Sequence, residues 1–121
     1  MDLDLPNIKD KFDTESAETL VVVGYPNNKD HIEELIFWSC FINDPVTWIA
    51  YPYISTLRDD ILAPNLATFL EFNIEKNQPE LIEFAFEEFI NKRGQSFRDL
   101  ILSKTQSEKV KELFEMEEYS L

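Results

Sequence analysis

The sequence is short of the residues from which most catalytic and stapled sites are made. Its 121 residues include one cysteine, Cys40, one histidine, His31, and two glycines. A lone cysteine cannot close an internal disulfide, so the chain does not read as a stapled secreted domain. Two glycines are too few for a backbone cradle around phosphate, and neither G-x-S-x-G nor H-E-x-x-H occurs. One His and one Cys fall short of the ligand sets that hold a metal, and no cofactor is expected. Cys40 lies in the most apolar stretch and reads as a buried structural thiol, since reactive thiols need an electropositive, accessible setting. His31, near a helix start, reads as a surface residue. No enzymatic role is expected.

Cations are scarce as well. Eleven Lys and Arg stand against 24 Asp and Glu, for a net charge of −13 and a pI near 4.3. That balance excludes the commonest nucleic-acid binders, which need cations to displace counterions from phosphates. It argues equally against an electrostatic anchor on anionic lipid. Long apolar runs are missing too: residues 20–23 and 35–42 fall far short of the roughly 20 residues that span a bilayer. The first residues, Met1-Asp2-Leu3-Asp4-Leu5-Pro6, lack a basic n-region and an apolar h-region, so a soluble cytoplasmic protein is expected.

What the chain does have is a core. Hydrophobic residues make up 44% and aromatics 13%, too much for an acidic disordered tail. The length suits a single domain, residues 1–121. Turn signals are too sparse for a sandwich or barrel, and helical periodicity dominates from Lys29 onward. The expected fold is all-α, a compact bundle or short α-solenoid of about five to seven helices. Residues 20–23, Leu-Val-Val-Val before Gly24, read either as an extended segment or as the buried end of a helix.

Asp30 with Glu33 has capping-box spacing and predicts a helix to about Ile42. Its second half is apolar around most of its circumference, which predicts burial on several sides. A further helix is predicted from about Tyr53 to Leu62. Pro64 suits a first helical turn, with Leu66, Phe69, Leu70 and Ile74 as the stripe to about Lys76. After the Asn77-Gln78-Pro79 link, a helix over 80–93 is predicted to end at Gly94, behind Lys92 and Arg93. Stripes at Phe97, Leu100 and Ile101 and at Val110, Leu113 and Phe114 predict two more, with Ser107 a cap between them.

The acidic residues are most informative by position. At 100° per residue, Glu80, Glu83 and Glu87 share one narrow arc of the helix over 80–93, and apolar residues cover nearly all the rest. Glu71 and Glu75 share a face of the preceding helix. Two readings stand: a solvated face that keeps the chain soluble, or a surface that a basic partner neutralises. Glu88 falls inside the apolar arc, either bonded at the core edge or aimed at a cation of a ligand. Tyr53 and Phe72 supply aromatic contacts and Asp59 and Asp60 further charge, a mixture that suits a protein interface. The candidate partner-binding set is therefore Tyr53, Asp59, Asp60, Glu71, Phe72, Glu75, Glu80, Glu83, Glu87 and Glu88.

From Pro52-Tyr53-Ile54, through Asn77-Gln78-Pro79-Glu80 and Phe86-Glu87-Glu88-Phe89-Ile90, to the helices after Gly94, the order of features resembles small helical immunity proteins. These are partners of polymorphic and contact-dependent growth-inhibition toxins of bacteria. The resemblance covers about residues 52–114 and implies a cytoplasmic antitoxin. Such a protein would bind one basic toxin domain, a nuclease by expectation, in a 1:1 heterodimer and occlude its active or substrate-binding surface. Direct contact with nucleic acid, membrane or a small-molecule substrate is not implied. Two other readings use the same charge and helices: a phage-type acidic inhibitor or DNA mimic, and a helical interaction adaptor.

Overall fold

A computed structural model describes residues 4–121. It is all-helical, with no strand among the described residues. Along the chain, α1 (Thr14–Val23) is followed by a 3₁₀ turn (Lys29–His31), α2 (Ile32–Trp38), α3 (Thr47–Thr56) and α4 (Asp59–Glu75). Next, α5 (Pro79–Ala85) passes through a π turn (Phe86–Ile90) into α6 (Asn91–Arg93) without a break. The last elements are α7 (Gln95–Lys104), α8 (Glu108–Glu115) and a 3₁₀ turn (Glu117–Tyr119). Counting 79–93 as one helix gives seven among the described residues, within the expected number. The chain divides into two compact units, Met1–Leu57 and Arg58–Leu121.

In the first unit, α3 packs against both α1 and α2. Residues 20–23 are the last turn of α1, so the segment is helical rather than extended, but only Leu20 of the four is buried and Val22 is 83% exposed. Asp13 starts that helix by accepting the Ser16 N–H, and Ala17 and Leu20 are fully buried. Burial of Ala17 and Leu20 holds the helix against the weak helix propensity of the three valines, none of which is itself buried. The segment before α1 is tied to α2 by Glu34, whose Oε2 accepts the Ile8 N–H at 2.6 Å.

The helix predicted from Asp30 to Ile42 is shorter than its apolar pattern. Asp30 lies in the 3₁₀ turn and makes no side-chain cap; α2 begins at Ile32 and ends at Trp38. Ser39 helps end it by turning its hydroxyl back to the Leu35 carbonyl at 2.6 Å, a local bond that competes with helical continuation. The predicted all-round burial also fails, because Phe37 and Ile42 are exposed.

Proline placement corrects a second boundary. Instead of a helix from Tyr53 to Leu62, extended backbone at Leu57 and Arg58 separates α3 from α4. Pro52 and Pro64 each lie inside a helix, at its sixth residue. Each removes one intrahelical hydrogen bond, an intrinsic penalty of about 3 kcal/mol that packing must offset. The buried stripe of α4 shows how: Ile61, Leu62, Ala63, Leu66, Ala67, Phe69 and Leu70 all enter the core.

In the second unit, α4 packs against α5, α7 and α8. Asn77, at φ +54°, makes the left-handed turn after α4, a conformation asparagine tolerates, and the Gln78 N–H reaches the Asn73 carbonyl at 2.9 Å. At the other end, Gly94 (φ +95°, ψ −172°) adopts backbone open almost only to glycine, which turns the chain into α7. Ser107 caps α8 as predicted, accepting the Val110 N–H.

Candidate functional site

The carboxylate ridge rests on a helix that departs from α geometry in its middle. The Asn91 N–H bonds the Phe86 carbonyl, five residues back, so the turn holds one extra residue and later side chains lag around the axis. On a strict α wheel Ile90 would sit beside Glu83, at the edge of the acidic arc. The wider turn swings it inward, and Phe86, Phe89 and Ile90 are all buried. Glu80, Glu83 and Glu87 stay exposed. The predicted ridge is thus present, and its register owes part of its form to a π turn that the periodicity did not signal.

The acidic 3₁₀ turn at the C-terminus joins this ridge. Tyr119 stacks on Phe86 with ring centroids 4.4 Å apart and planes at 15°. Burial pushes its phenol above the ordinary range, with Glu118 and Glu83 adding to the shift by Coulombic repulsion of the phenolate. Tyr119 thus lies within Coulombic reach of both its exposed neighbour Glu118 and Glu83 of the ridge. Glu118 was absent from the predicted set; the acidic run Glu115-Met116-Glu117-Glu118 was its only signal.

Arg98 builds the junction. It is 4% exposed and was missed by pattern reading, which assigns arginine to the surface. Its guanidinium donates to Asn91 Oδ1, to the Tyr119 carbonyl at 2.7 Å and to the Phe114 carbonyl at 3.2 Å. It also lies over the Phe86 and Phe114 rings, 5.7 and 4.9 Å from their centroids. Aromatic faces and backbone carbonyls together satisfy the charge. Burial lowers its pKa from the usual arginine value, with Asp99 opposing that shift.

The other predicted residues have separate surroundings. Asp59 Oδ1 pairs with Arg93 Nη1 at 2.7 Å, linking the start of α4 to the end of α6. Asp60 takes both Nε and Nη2 of Arg58 at 3.1 Å, which holds its carboxyl below the ordinary range. Glu71 accepts the Thr105 hydroxyl, and Thr105 Oγ1 accepts the Ser107 N–H, so Glu71 braces the α7–α8 connection. Glu88 is 29% exposed and pairs with Lys92 at 2.8 Å. Glu75 and Phe72 are exposed, with Lys76 Nζ 5.7 Å from the Phe72 centroid. Tyr53 belongs to the first unit, where its hydroxyl accepts from Asn28 Nδ2 at 2.9 Å.

His31 and Cys40 both depart from simple surface or core positions. The His31 side chain is largely covered, with Nδ1 2.8 Å from Glu34 Oε1. Cys40 is partly buried and directs Sγ at the Ile36 carbonyl, 3.2 Å away; burial pushes its thiol up to about 12. Among the described residues no three of His, Cys, Asp and Glu are grouped to hold a metal ion. No helix of the described residues is long and apolar enough to cross a membrane.

Comparison of the chain with protein-family models, with curated proteins and with solved structures finds no match.

Proposed function

We propose that this chain is a cytoplasmic immunity-type inhibitor, an antitoxin that binds one basic toxin domain, a nuclease by its chemistry, in a 1:1 heterodimer. It would act by occluding the toxin's active or substrate-binding surface. The observation that carries the reading is the exposed row Glu80, Glu83 and Glu87 on a helix whose other side is core. Acidic excess extends to both units: ten Asp and Glu against three Lys in residues 1–57, and fourteen against eight Lys and Arg in residues 58–121. A nuclease is basic because it binds phosphate, so a negative field steers the encounter, with association rates up to about 10⁸–10⁹ M⁻¹s⁻¹ at low salt. Inhibition of this kind needs no cofactor and no turnover.

Co-expression with the product of the neighbouring reading frame tests it. The native chain should restore growth and co-purify 1:1 with a basic domain, whereas the Glu83→Lys/Glu87→Lys variant should associate more slowly. A hydrolase or transferase activity lost on changing Glu83, Glu87 or Glu88 would overturn the proposal. Complex formation at the same rate in low and high salt would remove the steering argument.

A further inference from the structure

Three of the large apolar side chains left open to solvent in the first unit, Phe37, Ile42 and Trp48, lie around the link between α2 and α3. Phe37 touches Phe41 edge-on, with centroids 5.0 Å apart. Phe41 precedes Ile42, which is 75% exposed, and the Ile42 carbonyl accepts Trp48 Nε1 at 3.4 Å. Trp48 is itself 74% exposed. Thr47 bonds the Trp38 carbonyl, so the start of α3 is held against the end of α2 and the surface is a fixed one. Exposed apolar residues gathered around one such link suit a contact site.

Charge identifies what covers it. Glu33 stands one helical turn before Phe37 on the exposed side of α2, and Asp44 follows Ile42 by two residues. Residues 30–57 contain no Lys or Arg. The flanking cations are Lys29, in the 3₁₀ turn that leads into α2, and Lys11, whose carbonyl accepts the Val46 N–H and whose ammonium lies 5.3 Å from the Phe12 centroid. Burial raises the Glu33 carboxyl above its ordinary range, as expected of a carboxylate beside apolar surface. A second copy of the chain is disfavoured there, because it would bring together two units that each hold ten acids against three bases. A cationic partner meets both requirements: apolar groups for Ile42 and Phe37, and ammonium or guanidinium groups for the open indole face and the carboxylates.

We infer that the Phe37–Phe41–Ile42–Trp48 surface is a docking site for a cationic, amphipathic element of a protein partner, with Trp48 as its anchor. The inference rests on the proposal of a basic protein partner and names a contact face for it apart from the carboxylate ridge.

The test uses the full chain and two fluorescein-labelled probes, read by anisotropy. One is an 18-residue Lys/Leu peptide with its leucines at helical spacing; the other is oligolysine of equal charge. The amphipathic peptide should bind saturably and at least tenfold more tightly than oligolysine. Trp48→Ala and Ile42→Ser should each weaken it about tenfold, with helix content unchanged by circular dichroism because both side chains are exposed. Changing Glu80, Glu83 and Glu87 together to Gln should leave most of the discrimination between the probes. Equal binding of the two probes, no binding, or undiminished binding by Trp48→Ala would overturn the site. A dimer of the native chain that Trp48→Ala dissociates would overturn it in favour of a second copy. These outcomes are independent of the toxin proposal. Neutralisation that survives Trp48→Ala removes this docking site alone, whereas peptide binding without any toxin partner removes that proposal alone.

Discussion

Arg98 donates through Nη1 to the backbone carbonyl of Tyr119 at 2.7 Å, joining α7 to the last turn of the chain across 21 residues. The same guanidinium holds the Phe114 carbonyl at the end of α8. It thereby supplies a donor and a positive charge where helix ends leave carbonyls unpaired. The acidic C-terminal turn is thus held by a buried cation, with Tyr119 stacked on Phe86.

Arg98→Met keeps much of the volume and removes the donors. Hydrogen bonds to charged groups contribute about 1.5–3 kcal/mol each and do not add simply, so a loss of about 3 kcal/mol is expected by urea denaturation. Amide exchange of residues 117–121 should rise at the same time. Unchanged protection there would show that Phe86 stacking on Tyr119 suffices. Arg98→Lys should recover only part, because an ammonium cannot reproduce the planar fork.

Cys40 should be nearly inert to disulfide reagents in the native state. With its thiol at about 12 in place of 9.0, the thiolate fraction at pH 8 is about a thousandfold lower. Native and urea-unfolded chains, compared with the same reagent, should show that gap. The linkage sign follows. Between pH 9 and about 12 the native chain keeps a proton that the unfolded chain has lost. Stability therefore falls as pH rises through that window and is insensitive to this group below it. Cys40→Ser should flatten the decline; an identical slope in both proteins would contradict it.

Gly94→Ala tests the turn between α6 and α7. A Cβ there meets no atom within 4 Å, so the penalty comes from backbone strain at φ +95° alone. A loss of about 1–3 kcal/mol is expected from thermal unfolding. A melting temperature equal to that of the native chain would mean that the turn relaxes at no cost.

Glu34→Ala removes the acceptor of both the Ile8 N–H and His31 Nδ1. A loss of about 2 kcal/mol is expected, with about half retained by Glu34→Gln, whose amide oxygen can still accept. Limited proteolysis should then cut the residues before α1 sooner than in the native chain. Equal cleavage rates would show that Ile8, which is buried, anchors the segment without its hydrogen bond.

Part of the fold was legible in residues that act on near neighbours. The extent of the helix over 80–93, its stop at Gly94, the Asn77 turn and the Ser107 cap each depend on residues close in sequence, and each lies where the pattern put it, although the π turn inside that helix gave no signal. The same holds for the exposure of Glu80, Glu83 and Glu87. Boundaries near Pro52 and Pro64 were not legible. An intrinsic penalty says that a proline is costly inside a helix, and only the packing of α4 shows that the cost is met. The apolar run after Leu35 misled for a related reason: periodicity measures apolarity, and it cannot distinguish a core face from an exposed docking face.

By itself, then, the sequence determined the all-α class, the acidic balance and the exposed ridge, because composition and i, i+4 spacing are properties of the chain alone. Tertiary structure decided which charges are neutralised and how. Asp59 meets Arg93, and Thr105 meets Glu71, each across 34 residues. Arg98 is buried because carbonyls from two distant turns converge on it. Pairings over such separations depend on where the folded backbone brings its ends, and no local period encodes that.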